Sequence, residues 1–355
     1  MVQTVGDYIG FLRNRATVPV GFTAGSVRRA IRRQRRRPRE WTSSLTTPRL
    51  VPLSPTTWAW THDSTAWGYS NCGLVASDGE ALLMDTQFTL EGTRELLAAI
   101  AGAVPDATIT TVVNSHQNGD HTWGNELVGD AEIITSEASA AHRCHEMTPE
   151  MLSALSRGEP ATAVAAYAVE HFGGFDFGGI TLTGPTRTFT GSLELTVGRT
   201  AVRLLDLGAG HSAGDVALHV PEDGVVFTGD ALFRGGHMIV WSGSLSSCVT
   251  ACDTLLATGA TTFVPGHGEL TDRAGLTHFR DELSRIFETA TAYAREGREL
   301  DEAARLVKAA HAGDLAHPER LFTAVAGAYQ EAGVPGVPST TFELVEGMAR
   351  LAAAA

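Results

Sequence analysis

The chain has 355 residues, 43% of them hydrophobic, with a mean hydropathy of −0.01, which supplies a core and excludes a disordered or fibrous chain. Its net charge of −13 is unevenly spread: residues 1–49 carry 11 arginines against Asp7 and Glu40, leaving 16 basic and 38 acidic residues over the remainder, a net −22. So acidic a body repels nucleic acid, and no apolar run is long enough to span a bilayer, so neither nucleic-acid nor membrane partners are expected.

Met1 to Leu12 contains Asp7 and Gly10 and precedes no small-residue cleavage pattern, so a signal peptide is not expected and the cytoplasm is the expected compartment. The block from Arg28 to Arg39 repels itself and reads as a solvated arm, with contact to an acidic partner or membrane surface as the alternatives. A twin-arginine export signal would need an apolar segment next, whereas Pro38 to Thr47 is polar.

From about Leu50 to Thr271 the pattern is β-rich with intervening helices. Ala81 to Met84, Thr110 to Val113, Ile133 to Ile134 and Val216 to Val220 read as strands of a buried sheet, and Leu193 to Leu205 as a hairpin turning at Gly198-Arg199. After Leu276 the apolar residues Phe279, Leu283, Ile286, Phe287 and Ala290 recur at helical spacing, and a second amphipathic run, Leu321 to Tyr329, starts beside Pro318. The expected division is a basic arm over 1–49, a core domain over 50–275 and a helical extension over 276–355 that caps the core. Cys72, Cys144, Cys248 and Cys252 show no paired spacing and read as buried reduced thiols.

The chemistry lies in Ser115-His116-Gln117-Asn118-Gly119-Asp120-His121 and in three glycine-rich turns carrying His211, Asp230 and His267. Imidazoles and carboxylates, each placed after a β-rich apolar run, suit a borderline metal such as zinc. Asp85, His116 and Asp230 fall where strands end, which is where an α/β scaffold presents its site.

These motifs resemble those of the metallo-β-lactamase fold superfamily of metallohydrolases over roughly residues 50–275. That family opens with H-x-H-x-D-H and continues with single His, Asp and His ligands. The resemblance implies an α/β four-layer αββα sandwich, here with a helical C-terminal extension. It also implies His116 and His211 on a first metal, Asp120, His121 and His267 on a second, and Asp230 bridging both. Asp85 matches an aspartate that holds the metal loop by hydrogen bonds.

Asn118 departs from the pattern, standing where the family has its second histidine. Three outcomes are open: two metals with Asn118 or water completing the first site, one metal on Asp120, His121, Asp230 and His267, or a hard ion replacing zinc. Two ions with a weakened first site are favoured, zinc being expected and manganese or iron the alternatives.

Such a site activates water near neutral pH. Asp120 is placed to orient that nucleophile, and His237, seven residues after Asp230, to protonate a leaving group, with Arg234 as an anion holder; an ordinary loop explains both equally well. Trp241 reads as a pocket wall or as packing, Trp123 as packing. His62, His142, His145, His171, His219, His278, His311 and His317 are expected at the surface.

The leading expectation is a zinc-dependent metallohydrolase of a small-molecule carbonyl substrate, a thioester, lactone or related acyl compound. Similar family members act in secondary metabolism as polyketide cyclases or thioesterases. A β-lactamase is disfavoured because Lys308 is the chain's one lysine and lies far from the last motif, and a nuclease because the body is acidic. The alternatives are a non-hydrolytic metal-dependent cyclase or lyase, and a binding or scaffold protein whose metals are structural. The sequence leaves the oligomeric state open.

Overall fold

The computed structural model describes residues 47–62 and 64–354. The arginine block, and with it most of the expected arm, lies outside the described residues.

Strand alternation explains the layering. β4 (Glu80–Met84) sends Leu82 and Met84 to one face and Ala81 and Leu83 to the other, and both faces are buried. It lies within a seven-stranded sheet that follows chain order from β1 (Arg49–Pro52) through β2 (Thr57–Thr61), β3 (Cys72–Ser77), β4, β5 (Thr108–Val113) and β6 (Glu132–Ser136) to β7 (Arg187–Phe189). The first three pairings are antiparallel and the last three parallel.

A second, six-stranded sheet runs β13 (Thr271–Asp272), β12 (Thr262–Val264), β11 (Val225–Phe227), β10 (Asp215–Val220), β9 (Thr200–Gly208), β8 (Ser192–Val197). The hairpin between β8 and β9 turns at Gly198-Arg199, where Gly198 takes a φ of 55°.

Between the sheets Leu82, Met84 and Val113 meet Leu204, Val216, Leu218 and Phe227 in one apolar layer. On the outer face of the first sheet, Leu83 and Val112 pack against Leu96 and Ile100 of α1 (Leu90–Ala103), whose N-terminus is capped by the Thr89 hydroxyl. On the outer face of the second, Ala217 and Phe263 pack against a helical layer that includes Cys248, Leu255 and Leu283. The result is helix, sheet, sheet, helix, the expected sandwich. Each fully buried leucine contributes roughly 1.5–3 kcal/mol through burial.

The chain then forms α7 (Arg273–Arg295), α8 (Leu300–His311), α9 (Leu321–Glu331) and α10 (Thr341–Ala353), with the intervening helices of the sandwich being α2 (Gly119–Thr122), α3 (Glu137–His142), α4 (Pro149–Arg157), α5 (Ala163–Phe172) and α6 (Leu245–Ala257). A 3₁₀ turn, Pro318–Arg320, leads into α9. Nearly all of α9 is buried, and its residues pack with those of the sandwich's helical layer.

Two surface readings are corrected here. His62 and His219 are buried, and His219 shares its strand face with Ala217, which the helical layer covers. Of the cysteines, Cys144 is exposed, while the other three are buried.

Candidate metal centre

The metal-type residues lie in loops at one edge of the two sheets. Asp85 follows β4 in the left-handed region, φ 65°, a conformation that costs a non-glycine residue about 1–3 kcal/mol. There its Oδ1 accepts from the Ser115 backbone N–H at 2.7 Å and its Oδ2 from His121 Nδ1 at 2.9 Å. With Nδ1 donating, His121 Nε2 is left as a bare lone pair directed inward.

The other rings are held in the same way. His211 Nδ1 donates to the Ile239 carbonyl at 2.8 Å, His267 Nδ1 to the Tyr69 carbonyl at 3.0 Å, and His116 Nδ1 lies 2.9 Å from Ser115 Oγ. Four Nε2 atoms therefore converge. Glycine at 266 is required by the same crowding, since a Cβ there would sit 1.9 Å from Asp230 Oδ1.

The donors divide into two sets that share Asp230. Its Oδ1 lies 3.2 Å from His121 Nε2 and 3.4 Å from His267 Nε2, and Asp120 Oδ2 completes that set at 3.4 Å from His267 Nε2. Its Oδ2 lies 3.4 Å from His211 Nε2 and 4.0 Å from His116 Nε2. Asn118 Oδ1 completes this set, that of the first site, 2.9 Å from His116 Nε2 and 3.0 Å from His211 Nε2. Donors about 2.0–2.1 Å from a tetrahedral zinc stand ~3.4 Å from one another, so both sets are spaced for an ion.

The electrostatics favour the same occupant. Burial opposes charge on every member, yet the Asp230, Asp120 and Asp85 carboxylates hold the His121 pKa well above the ordinary imidazole range, and Asp230 and Asp120 hold that of His267 up to about 9. In turn His121 and His267 bring Asp120 down to about 2 and, with His211, Asp230 well below the carboxylate range. Burial and the charge of His121 push the His116 pKa well below the ordinary imidazole range. The cluster thus demands positive charge. His121 Nε2 and Asp230 Oδ1 are also buried without a hydrogen-bond partner, a costly state that a cation relieves. The residues fit a pair of divalent ions held by nitrogen and oxygen.

The cavity over this cluster measures about 110 Å³ and is walled by Trp67, Phe88, Trp123, Tyr167 and Trp241, with Thr341 and Val345 contributed by α10. Trp123 both lines it and stacks on Phe88 at 4.9 Å between centroids. His237 and Arg234 are not brought there. They line a separate cavity of about 500 Å³, where His237 Nε2 is 3.0 Å from the Ala312 carbonyl.

Several contributors escaped the sequence reading, among them the following. Glu146 Oε2 accepts from Asn118 Nδ2 at 2.9 Å, Tyr69 offers a backbone carbonyl, and Arg320 lines the cavity from the turn before α9. None sits in a motif, and only Arg320 carried a signal: a lone cation beginning an apolar helical run.

Fold and donor set together define an αββα protein with a metal-binding edge. The chain belongs to the metallo-beta-lactamase superfamily, whose profile matches residues 65–267 and whose members are mostly metal-dependent hydrolases, typically of zinc. A search of curated proteins returned no match. Among solved structures, a metallo-beta-lactamase from Pontibacter korlensis is 22% identical, with a TM-score of 0.51, over 67% of this chain and 99% of the other. A double mutant of the sec-alkyl sulfatase PisA1 is 17% identical, with a TM-score of 0.61, over 80% of this chain and 50% of the other. At these identities the likeness is one of fold.

Proposed function

We propose that the chain is a zinc-dependent hydrolase of a small carbonyl substrate, a thioester, lactone or related acyl compound. The observation that carries this reading is Asp230, whose two oxygens each face a different pair of imidazoles. Bound ions of this kind lower the pKa of coordinated water to about 7 and polarise a carbonyl oxygen.

The chain's own residues supply the rest. Of the two carboxylates in the cluster, Asp120 is the more open, with 18% of its side chain exposed against 5% for Asp230. With ions bound, Asp120 would orient a water nucleophile through a carboxylate oxygen, accept its proton and return that proton to the leaving group. Asp85 and the backbone carbonyls of Tyr69 and Ile239 keep the imidazoles in one tautomer. The aromatic walls exclude bulk water and suit a small apolar acyl group.

The test is elemental analysis of the purified protein together with a turnover screen of thioesters, lactones, β-lactams, and carboxylic and sulfate esters. Bound zinc with turnover lost on chelation before the core unfolds is the expected result. Turnover that survives complete metal removal would overturn the reading, and unfolding in step with chelation would favour a structural metal.

A further inference from the structure

The cavity wall carries one buried cation that the metal chemistry does not use. Arg320 is 3% exposed, and its guanidinium carbon lies 4.2 Å from the centroid of the Trp67 ring. Nη1 donates to the His237 carbonyl at 3.2 Å, a neutral acceptor, while Nε is buried with no partner. The adjacent Glu319 acts on this charge but gives the guanidinium no hydrogen bond: its Oε1 accepts from the Tyr167 hydroxyl at 2.9 Å and lies 3.3 Å from His317 Nδ1.

A buried guanidinium with unused donors is an expensive feature unless something anionic completes it. Asp120 and Asp230 act on its charge across the cavity, but ions in the metal centre neutralise those two carboxylates. In the loaded protein Arg320 would then line the small aromatic cavity with Glu319 beside it and its Nε still unpartnered. Arg320 also lies outside residues 65–267, so the extension supplies it rather than the part of the chain shared across the superfamily.

We propose that Arg320 anchors an anionic group of the substrate, so that preferred substrates carry a carboxylate or similar planar or tetrahedral oxyanion beside Trp67 while the scissile bond lies over Asp230. The fork geometry of a guanidinium matches such oxyanions through two parallel hydrogen bonds, and the Trp67 ring fixes its plane. This rests on the hydrolase reading and narrows its substrate class.

Two measurements on the metal-loaded full chain test it. In the first, butyrate and inorganic sulfate are titrated against intrinsic tryptophan fluorescence, with chloride at matched ionic strength as the control. Saturable binding to the wild type, weakened about tenfold or more in Arg320→Lys and lost in Arg320→Met at unchanged metal content, is expected. In the second, kcat/KM is compared between a hemiester of a dicarboxylic acid and its neutral diester. The wild-type preference for the hemiester should fall about 30-fold or more in Arg320→Met.

Anion binding unaltered in both variants, or wild-type turnover of the two esters without preference, would overturn the anchor while leaving the hydrolase intact. Arg320-dependent anion binding with neither ester turned over would overturn the hydrolase reading and keep the anchor. Arg320→Lys serves if the methionine variant fails to fold.

Discussion

Glu146 fixes which way the Asn118 amide points. Its carboxylate is an acceptor, so the Asn118 NH₂ faces it at 2.9 Å and Oδ1 is turned toward His116 and His211. Gln117 Nε2 supports the same carboxylate at 3.3 Å. Removing that support should cost the first site about 10–100-fold in affinity, the usual weight of a group that orients a ligand. Metal titration of Glu146→Ala against a competing chelator reads this directly. The second site, held by Asp120, His121, Asp230 and His267, should stay loaded. Asn118→His should instead raise first-site zinc affinity about tenfold or more. Titrations identical to wild type for both variants would remove residue 118 from the coordination shell.

Asp230→Ala should empty both sites, since its two oxygens serve both sets. Elemental analysis after desalting is sufficient. Full occupancy in that variant would refute the bridging role and with it most of the catalytic assignment.

Glu319 gives a pH signature. Burial would raise its pKa, but hydrogen bonds from His317, from its own backbone N–H and from Tyr167 lower it to about 2. A depressed carboxylate pKa stabilises the fold above the unfolded value near 4.5 and loses that contribution as pH falls through about 2. Glu319→Gln should therefore be less stable than wild type at pH 7, by at most about 3 kcal/mol, with the gap closing between about pH 4.5 and 2. Paired denaturant melts measure it, because protonation of the metal ligands affects both proteins alike. A gap independent of pH would contradict the assignment.

Thiol labelling tests the cysteine burial. Cys144 is exposed and Cys72, Cys248 and Cys252 are buried, so the native chain should react once with a chromogenic disulfide and four times after denaturation. Burial also raises the Cys248 pKa well above the thiol range, slowing its attack further.

The sequence made the strand ends legible because apolar runs stop where chemistry begins. Asp85, His116 and Asp230 were found in that way, and the hairpin was marked by Gly198-Arg199. His219, expected at the surface, instead stands in β10 on the face of Ala217, which a helical layer covers. Arg234 and His237 were chosen by nearness in sequence to Asp230, yet the chain after Phe233 turns away toward α8 and the second cavity. Glu146 and Arg320 reach the site from distant segments. Contacts of that kind leave no periodicity to read.

The wall contributed by Thr341 and Val345 sets an order of events in synthesis. The donors arrive from His116 through His267, while α10, made after all of them, contributes to the cavity wall. A nascent chain stalled before residue 341 would display every metal ligand under an open roof. The cavity is thus finished only after its donors have been made, and the time at which a chain stops exchanging its metal with an added chelator is a clock for the docking of α10.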